Sequence, residues 1–179
     1  MTNGVAYLFK KNKIEVLRGT AYIKDAHNIR VMNDDHAQTY TFKNLIIATG
    51  SHPIEIPGFK FGGRIIDSTG ALALDKLPKK LVLIGGGYIG CELASAYANF
   101  GTEVTIIEGT DRILRNYDKE LTAPVLKNFK SKGIKVVTNA MAKEAKDNGD
   151  SVDVTYEVNG KAETINADYV LVSVGRKPN

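Results

Sequence analysis

Tryptophan is absent, cysteine occurs once, and no apolar run approaches the roughly 18–20 residues that cross a bilayer. The single cysteine, Cys91, has no partner for an internal disulfide and cannot build a cysteine-rich zinc site. Any redox chemistry must therefore be supplied by a cofactor. The opening residues Met1-Thr2-Asn3-Gly4 lack the basic and apolar stretches of a secretion signal, so a cytoplasmic location is expected. Charge of one sign is also lacking. The 24 Lys and Arg against 20 Asp and Glu are scattered in pairs such as Lys10-Lys11 and Lys79-Lys80, which gives nucleic acid no basic stripe to follow. His27, His36 and His52 have no metal-ligand spacing and read as surface residues, so no metal site is expected. What is present is 179 residues with 43% hydrophobic and 25% charged side chains, enough for one ordinary domain or a little more. Mean hydropathy is −0.17.

The chain carries an interrupted repeat. Leu45-Ile46-Ile47-Ala48-Thr49-Gly50-Ser51-His52-Pro53 parallels Val170-Leu171-Val172-Ser173-Val174-Gly175-Arg176-Lys177-Pro178, with both the glycines and the prolines 125 residues apart. Upstream, Lys11 to Leu17 parallels Ser131 to Val137, with Ile14 and Ile134 120 residues apart. Each copy is expected to run helix, short strand, meander of alternating residues, and final apolar strand ending in Gly-x-x-Pro. The second copy is preceded by a strand, a helix and a strand that the first lacks, so the chain reads as a piece of a longer polypeptide. Gly58, Gly62, Gly63, Pro53 and Pro57 mark a linker, which puts the expected domains at 1–54 and 55–179.

The most informative stretch follows Lys79-Lys80. Leu81-Val82-Leu83-Ile84 reads as a strand buried on both faces, and Gly85-Gly86-Gly87-Tyr88-Ile89-Gly90 follows at once. Ile89, Leu93, Ala96, Tyr97 and Phe100 then recur on one face of a helix over 88–100, Gly101 sits where it would stop, and Glu103 to Glu108 forms a second strand ending on an acid. A second helix is expected at about 118–132, with Pro124 marking a start or a kink, and an antiparallel meander over roughly 138–166.

Glycine turns are common, but strand, loop, helix, second strand and acid in this order form the dinucleotide-binding fingerprint. Gly85 suits a tight turn, Gly87 lets a pyrophosphate approach the backbone, and Gly90 lets helix and sheet pack closely. The phosphates would meet free N–H groups and the positive end of the helix dipole. Glu108 would accept both adenosine ribose hydroxyls and repel a 2′-phosphate, which favours NAD over NADP. Arg112 and Arg115 offer the competing reading as 2′-phosphate ligands, or simply as surface residues.

Lys80 to Ala94, the Ala48-Thr49-Gly50 turn and the closing Ala167 to Asn179 together make the chain similar to the flavin-dependent pyridine nucleotide–disulfide oxidoreductases. That resemblance implies a Rossmann-like α/β fold with a mainly parallel sheet and an antiparallel β-meander, plus a partial second copy of the same unit. It implies FAD and NAD as cofactors: Ala21, Thr49, Gly50 and Ser51 toward FAD in the full-length parent, and Gly85, Gly87, Tyr88, Ile89, Gly90, Glu92, Glu108, Ala140 and Gly175 toward NAD. For Tyr88 and Glu92 the alternatives are an ordinary helix-entry residue and a first-turn acid favoured by the dipole.

The resemblance further implies a homodimer partner and, for one branch of the family, components of 2-oxo acid dehydrogenase complexes. The family's cysteine pair, its N-terminal FAD glycine loop and its C-terminal catalytic His and Glu are not among these residues. Cys91 reads as a small buried residue, no catalytic residue is assigned, and the chain alone is expected to be inactive. An NADH oxidase, a disulfide reductase or a non-catalytic nucleotide-binding domain remain the alternatives.

Overall fold

The computed structural model describes residues 2–34 and 36–179. The chain divides into two units, Met1–Ala48 and Thr49–Asn179. The first contains α1 (Thr2–Lys11) and a three-stranded antiparallel sheet of β1 (Thr20–Ile23), β2 (Asn28–Met32) and β3 (Ala37–Thr41) in that order. Polar turns set its register. Asp25 Oδ1 accepts from His27 N–H and from Asn28 Nδ2, both at 2.9 Å, and these bonds hold its carboxyl below the usual range.

No described residue of this unit is fully buried. The strands expected at Ile14–Leu17 and Leu45–Ala48 do not form. A strand needs a neighbour to hydrogen-bond, and the strand–helix–strand that supplies neighbours in the second copy has no counterpart here. Ile46 and Ile47 are left 90% and 67% exposed.

The second unit is a three-layer sandwich. At its centre lies a five-stranded parallel sheet in the order β5 (Ile65–Ile66), β12 (Tyr169–Val172), β6 (Lys80–Ile84), β7 (Glu103–Ile107), β8 (Lys135–Val137). Leu81 to Ile84 are all buried, each worth about 1.5–3 kcal/mol as an upper estimate.

Their alternation feeds two cores. Leu81 and Leu83 join Val104, Ile106 and Leu171 beneath α3 (Tyr88–Asn99) and α4 (Lys119–Ser131). Val82 and Ile84 join Val170 and Val172 against Val152, Val154 and Tyr156 of the antiparallel meander. That meander comprises β9 (Ala140–Asp147), β10 (Val152–Val158) and β11 (Lys161–Ala167), with β10 in the middle.

Both helices end on a glycine just past the cap, Gly101 at φ +94° and Gly133 at φ +72°. The buried face of α3 is Gly90, Cys91, Ala94 and Tyr97. Phe100, expected on the inner face, caps the helix and is 70% exposed. Pro124 does not start α4; Asp118 does, and Pro124 lies inside the helix.

The expected linker is pinned. Phe59 is fully buried, Gly58 O accepts from Ala145 N–H at 2.8 Å, and Asp147 Oδ2 accepts from Arg64 N–H at 2.8 Å. Short helix α2 (Ser68–Leu72) follows, capped by Asp67, whose Oδ1 accepts from Gly70 N–H at 2.7 Å. The Gly-x-x-Pro ends of the two repeats meet as an antiparallel pair, β4 (Ser51–Pro53) against β13 (Arg176–Pro178). His52 and Lys177, equivalent positions of the repeat, stand directly opposite each other. Residues 49–54 thus pack with the second unit.

Candidate functional site

The carboxyl ends of β6, β7 and β12 open into a cleft of about 700 Å³. In an open parallel sheet this is where the backbone splays apart and ligands enter. The glycines of the loop after β6 have different physical reasons. Gly85 takes φ +99°, and a Cβ there would stand 2.7 Å from Ser173 O. A Cβ on Gly90 would stand 2.2 Å from Gly85 O, and one on Gly86 would stand 2.5 Å from Ile113 Cγ2. Gly87 alone among the four has nothing within 4 Å of such a Cβ and an ordinary φ of −73°. Its side faces open space, at the uncapped start of α3, where backbone N–H groups have no intrahelical acceptors.

Glu108 closes the adjoining wall. Its Oε2 accepts from Gly86 N–H at 2.6 Å and its Oε1 from Thr110 N–H at 2.7 Å. Two backbone donors fix the carboxylate, and each oxygen retains acceptor capacity for a further donor. Ala140, 1% exposed, donates its N–H to Glu108 O at 2.9 Å and so ties the meander to the same corner.

The cleft brings together Gly85, Gly87, Tyr88, Ile89, Glu108, Ala140 and Gly175 of the residues singled out in the sequence. Two others stand apart. Gly90 is buried beneath the loop, and Glu92 lies one turn further along α3 than a first-turn acid, exposed beside a separate groove between α3 and α4. The residues toward FAD have these positions: Ala21 of β1 pairs with Val31 of β2, Thr49 Oγ1 donates to Asn179 O at 3.2 Å, Gly50 O accepts from Asn179 N–H at 3.1 Å, and Ser51 O accepts from Arg176 Nη2 at 2.6 Å.

Ser173, Thr110 and Met141 also line the cleft and are not singled out by the sequence, and Arg112 and Arg115, the competing 2′-phosphate candidates, line it as well. The sequence did carry a signal for Ser173, because the residue just after a central parallel strand stands at the ligand edge. Its hydroxyl donates to Ile84 O at 3.1 Å and Gly85 O at 3.2 Å, bracing the turn.

Cys91 is buried, and its thiol donates to Gly86 O at 3.4 Å. Burial first, then the charges of Glu108 and Glu92, push its pKa up to about 12, which suits a packing residue and not a nucleophile. His27, His36 and His52 are exposed, and no cluster of metal-ligating side chains occurs among the described residues. Among the described residues no helix is long and apolar enough to cross a membrane.

Solved structures share this architecture. LpdA from Mycobacterium tuberculosis superposes with a TM-score of 0.89 over 99% of this chain and 40% of that one; at 24% identity this speaks to the fold. The HOCl-induced flavoprotein disulfide reductase RclA from Escherichia coli gives a TM-score of 0.78 at 30% identity, over 99% of this chain and 42% of its own. By sequence, the dihydrolipoyl dehydrogenase of Geobacillus stearothermophilus is 61% identical over all 179 residues and that of Bacillus subtilis 56% over 180. The chain spans 38% of the length of these relatives. The family model described as pyridine nucleotide-disulphide oxidoreductase matches residues 1–179. With a Rossmann-like sheet, a glycine loop and an anchored acid all inside that match, the chain belongs to the pyridine nucleotide–disulphide oxidoreductases.

Proposed function

We propose that the chain is the NAD-binding segment of a dihydrolipoamide dehydrogenase, and that it holds NAD in position to accept hydride from FAD reduced by dihydrolipoamide. One observation carries this reading: Gly85, Gly86 and Gly90 are glycine because protein atoms crowd them, while Gly87 faces empty cleft beside the start of α3. That cradle fits a pyrophosphate, which needs close backbone approach and N–H donors. Glu108, held by two N–H donors with lone pairs to spare, fits the two ribose hydroxyls of adenosine. Its negative charge disfavours a 2′-phosphate, so NAD is the expected partner in preference to NADP.

The hydride chemistry belongs to the bound flavin and nicotinamide. The residues of this chain bind and orient. Gly85, Gly87, Tyr88, Ile89 and Gly90 form the phosphate loop and helix entry, Glu108 and Ala140 the adenosine corner, and Tyr88 and Gly175 the nicotinamide side, while Glu92, outside the cleft, is assigned toward the flavin–nicotinamide stack on the family resemblance alone. Ala21, Thr49, Gly50 and Ser51 are assigned to FAD in the longer protein, within an FAD-binding portion at 1–54 that precedes the NAD-binding portion at 55–179. A homodimer partner, components of a 2-oxo acid dehydrogenase complex and a cytoplasmic location complete the proposal. The 56–61% identity to dihydrolipoyl dehydrogenases favours it over an NADH oxidase or a disulfide reductase.

Titration calorimetry of the purified chain with NADH and NADPH tests this. Tighter binding of NADH is expected. Equal or tighter binding of NADPH overturns the assignment of Glu108, and a flavin that copurifies overturns the expectation that the FAD site is incomplete in these residues.

A further inference from the structure

Arg112 carries a cation that the protein has left partly unsatisfied. Its Nη2 donates to Arg115 O at 2.9 Å, and its own carbonyl accepts from Thr110 Oγ1 at 2.9 Å. Its Nη1 is shut off from solvent and has no hydrogen-bond partner among the described residues. A buried guanidinium nitrogen without an acceptor is costly, and native structures rarely keep one without a use for it.

The segment around it is firmly placed. Ile113 is fully buried against Gly86, and Leu114 N–H donates to Gly86 O at 2.7 Å. Arg112 itself is half-buried and lines the same cleft as Glu108 and Gly87. The lone pairs left on Glu108 can only accept, so this corner of the cleft needs a donor if a nucleotide with acceptor atoms is to be held on both sides.

We infer that Arg112 is a binding residue for the adenosine monophosphate half of the dinucleotide: its guanidinium turns from a parked position into the cleft and donates Nη1–H to an acceptor on that half. The inference rests on the dinucleotide reading above. The Arg115 carbonyl holds the guanidinium head at the edge of the cleft, within reach of a nucleotide acceptor. The same guanidinium does not act as a 2′-phosphate ligand, because the fixed negative charge of Glu108 lines that part of the wall.

The test uses the whole chain, Arg112→Met and Arg112→Lys, titrated with NADH, AMP, adenosine and nicotinamide mononucleotide, alongside thermal unfolding without nucleotide. Arg112→Met is expected to lose about tenfold in affinity for NADH and AMP, the effect of one charge-assisted hydrogen bond, with nicotinamide mononucleotide unaffected. Without nucleotide its unfolding temperature should be no lower than the parent's, because methionine removes the orphaned donor. Arg112→Lys keeps the charge but loses the planar fork whose two separate nitrogens face the Arg115 carbonyl and the nucleotide acceptor, so it gives an independent several-fold loss for AMP. A matching loss for adenosine assigns the acceptor to base or ribose, and its absence assigns it to the phosphate.

Unchanged NADH and AMP binding in both variants overturns the inference, as does a loss confined to NADPH or a drop in stability with binding intact. If the parent chain binds neither NADH nor AMP, the dinucleotide reading itself has failed and the inference falls with it.

Discussion

The Oε2 atom of Glu108 accepts a 2.6 Å hydrogen bond from the backbone N–H of Gly86, joining the acid at the end of β7 to the glycine loop after β6. Thr110 N–H holds the other oxygen at 2.7 Å. Glu108→Gln has one acceptor oxygen for two donors, so one N–H loses its partner at a cost of about 1–3 kcal/mol. Thermal unfolding should register that loss. Paired titrations should show the NADH preference over NADPH falling by about tenfold, since the repulsion of a 2′-phosphate goes with the charge. A variant with an unchanged preference would speak against Glu108 as the selector.

Gly87→Ala and Gly90→Ala should fail in opposite ways. At Gly90 a Cβ meets Gly85 O at 2.2 Å, a backbone atom that cannot step aside, and overpacking of this kind costs about 1–3 kcal/mol. At Gly87 the Cβ meets nothing, so stability should change by less than about 1 kcal/mol while NADH affinity falls. Denaturant midpoints and calorimetry on the two variants separate the outcomes.

The order strand, glycine loop, helix, strand and acid was legible because each piece has its own chemical signature in the sequence. The turn at Gly85 and the close packing at Gly90 were legible too, since positive φ and backbone crowding follow from a strand that turns at once into a helix. What could not be read was long-range placement. The apolar stretch Leu45–Ala48 looks like Val170–Leu171–Val172, yet only the latter has β5 and β6 to pair with. Phe100 matches the helical period and still faces solvent, because the period names a face and not where the helix leaves the sheet. Phe59 was hidden among linker residues, and its burial depends on the meander more than eighty residues away.

Cys91 should resist a thiol-labelling reagent at mildly alkaline pH in the folded chain and react at once in denaturant. Its folded pKa, raised to about 12, lies above the unfolded value of about 8.5. The unfolded state therefore releases its proton first as pH rises, and stability falls between those two values. Urea unfolding of the parent and Cys91→Ala across that window should show the parent declining more steeply. Labelling of the folded chain as fast as the unfolded one would contradict the burial.

Asp147 supplies the opposite sign. Its carboxylate accepts from the N–H groups of Arg64 and Gly149, each at 2.8 Å, and those bonds, with the charge of Arg64, hold its pKa below the usual range. The stability it contributes is present above the ordinary carboxylate pKa and lost as pH falls through the lowered folded value. Asp147→Asn should be less stable than the parent at neutral pH, and the gap should close in strong acid. A gap independent of pH would mean that the carboxylate charge plays no part.

Hydrogen exchange should contrast two apolar segments of similar composition. Amides of Leu81 to Ile84, in a strand paired on both sides, should exchange only with global opening. Those of Ile46 and Ile47, with no ladder partner among the described residues, should exchange within the dead time of the measurement.

Ile54 N–H donates to Gly175 O at 3.0 Å, immediately beside the β4 and β13 pair. The 122 residues from 54 to 175 thus form a closed loop of chain whose two ends touch. Such a cassette can be spliced into a host sequence without displacing the host's path, and it can be joined end to end and reopened elsewhere as a circular permutant.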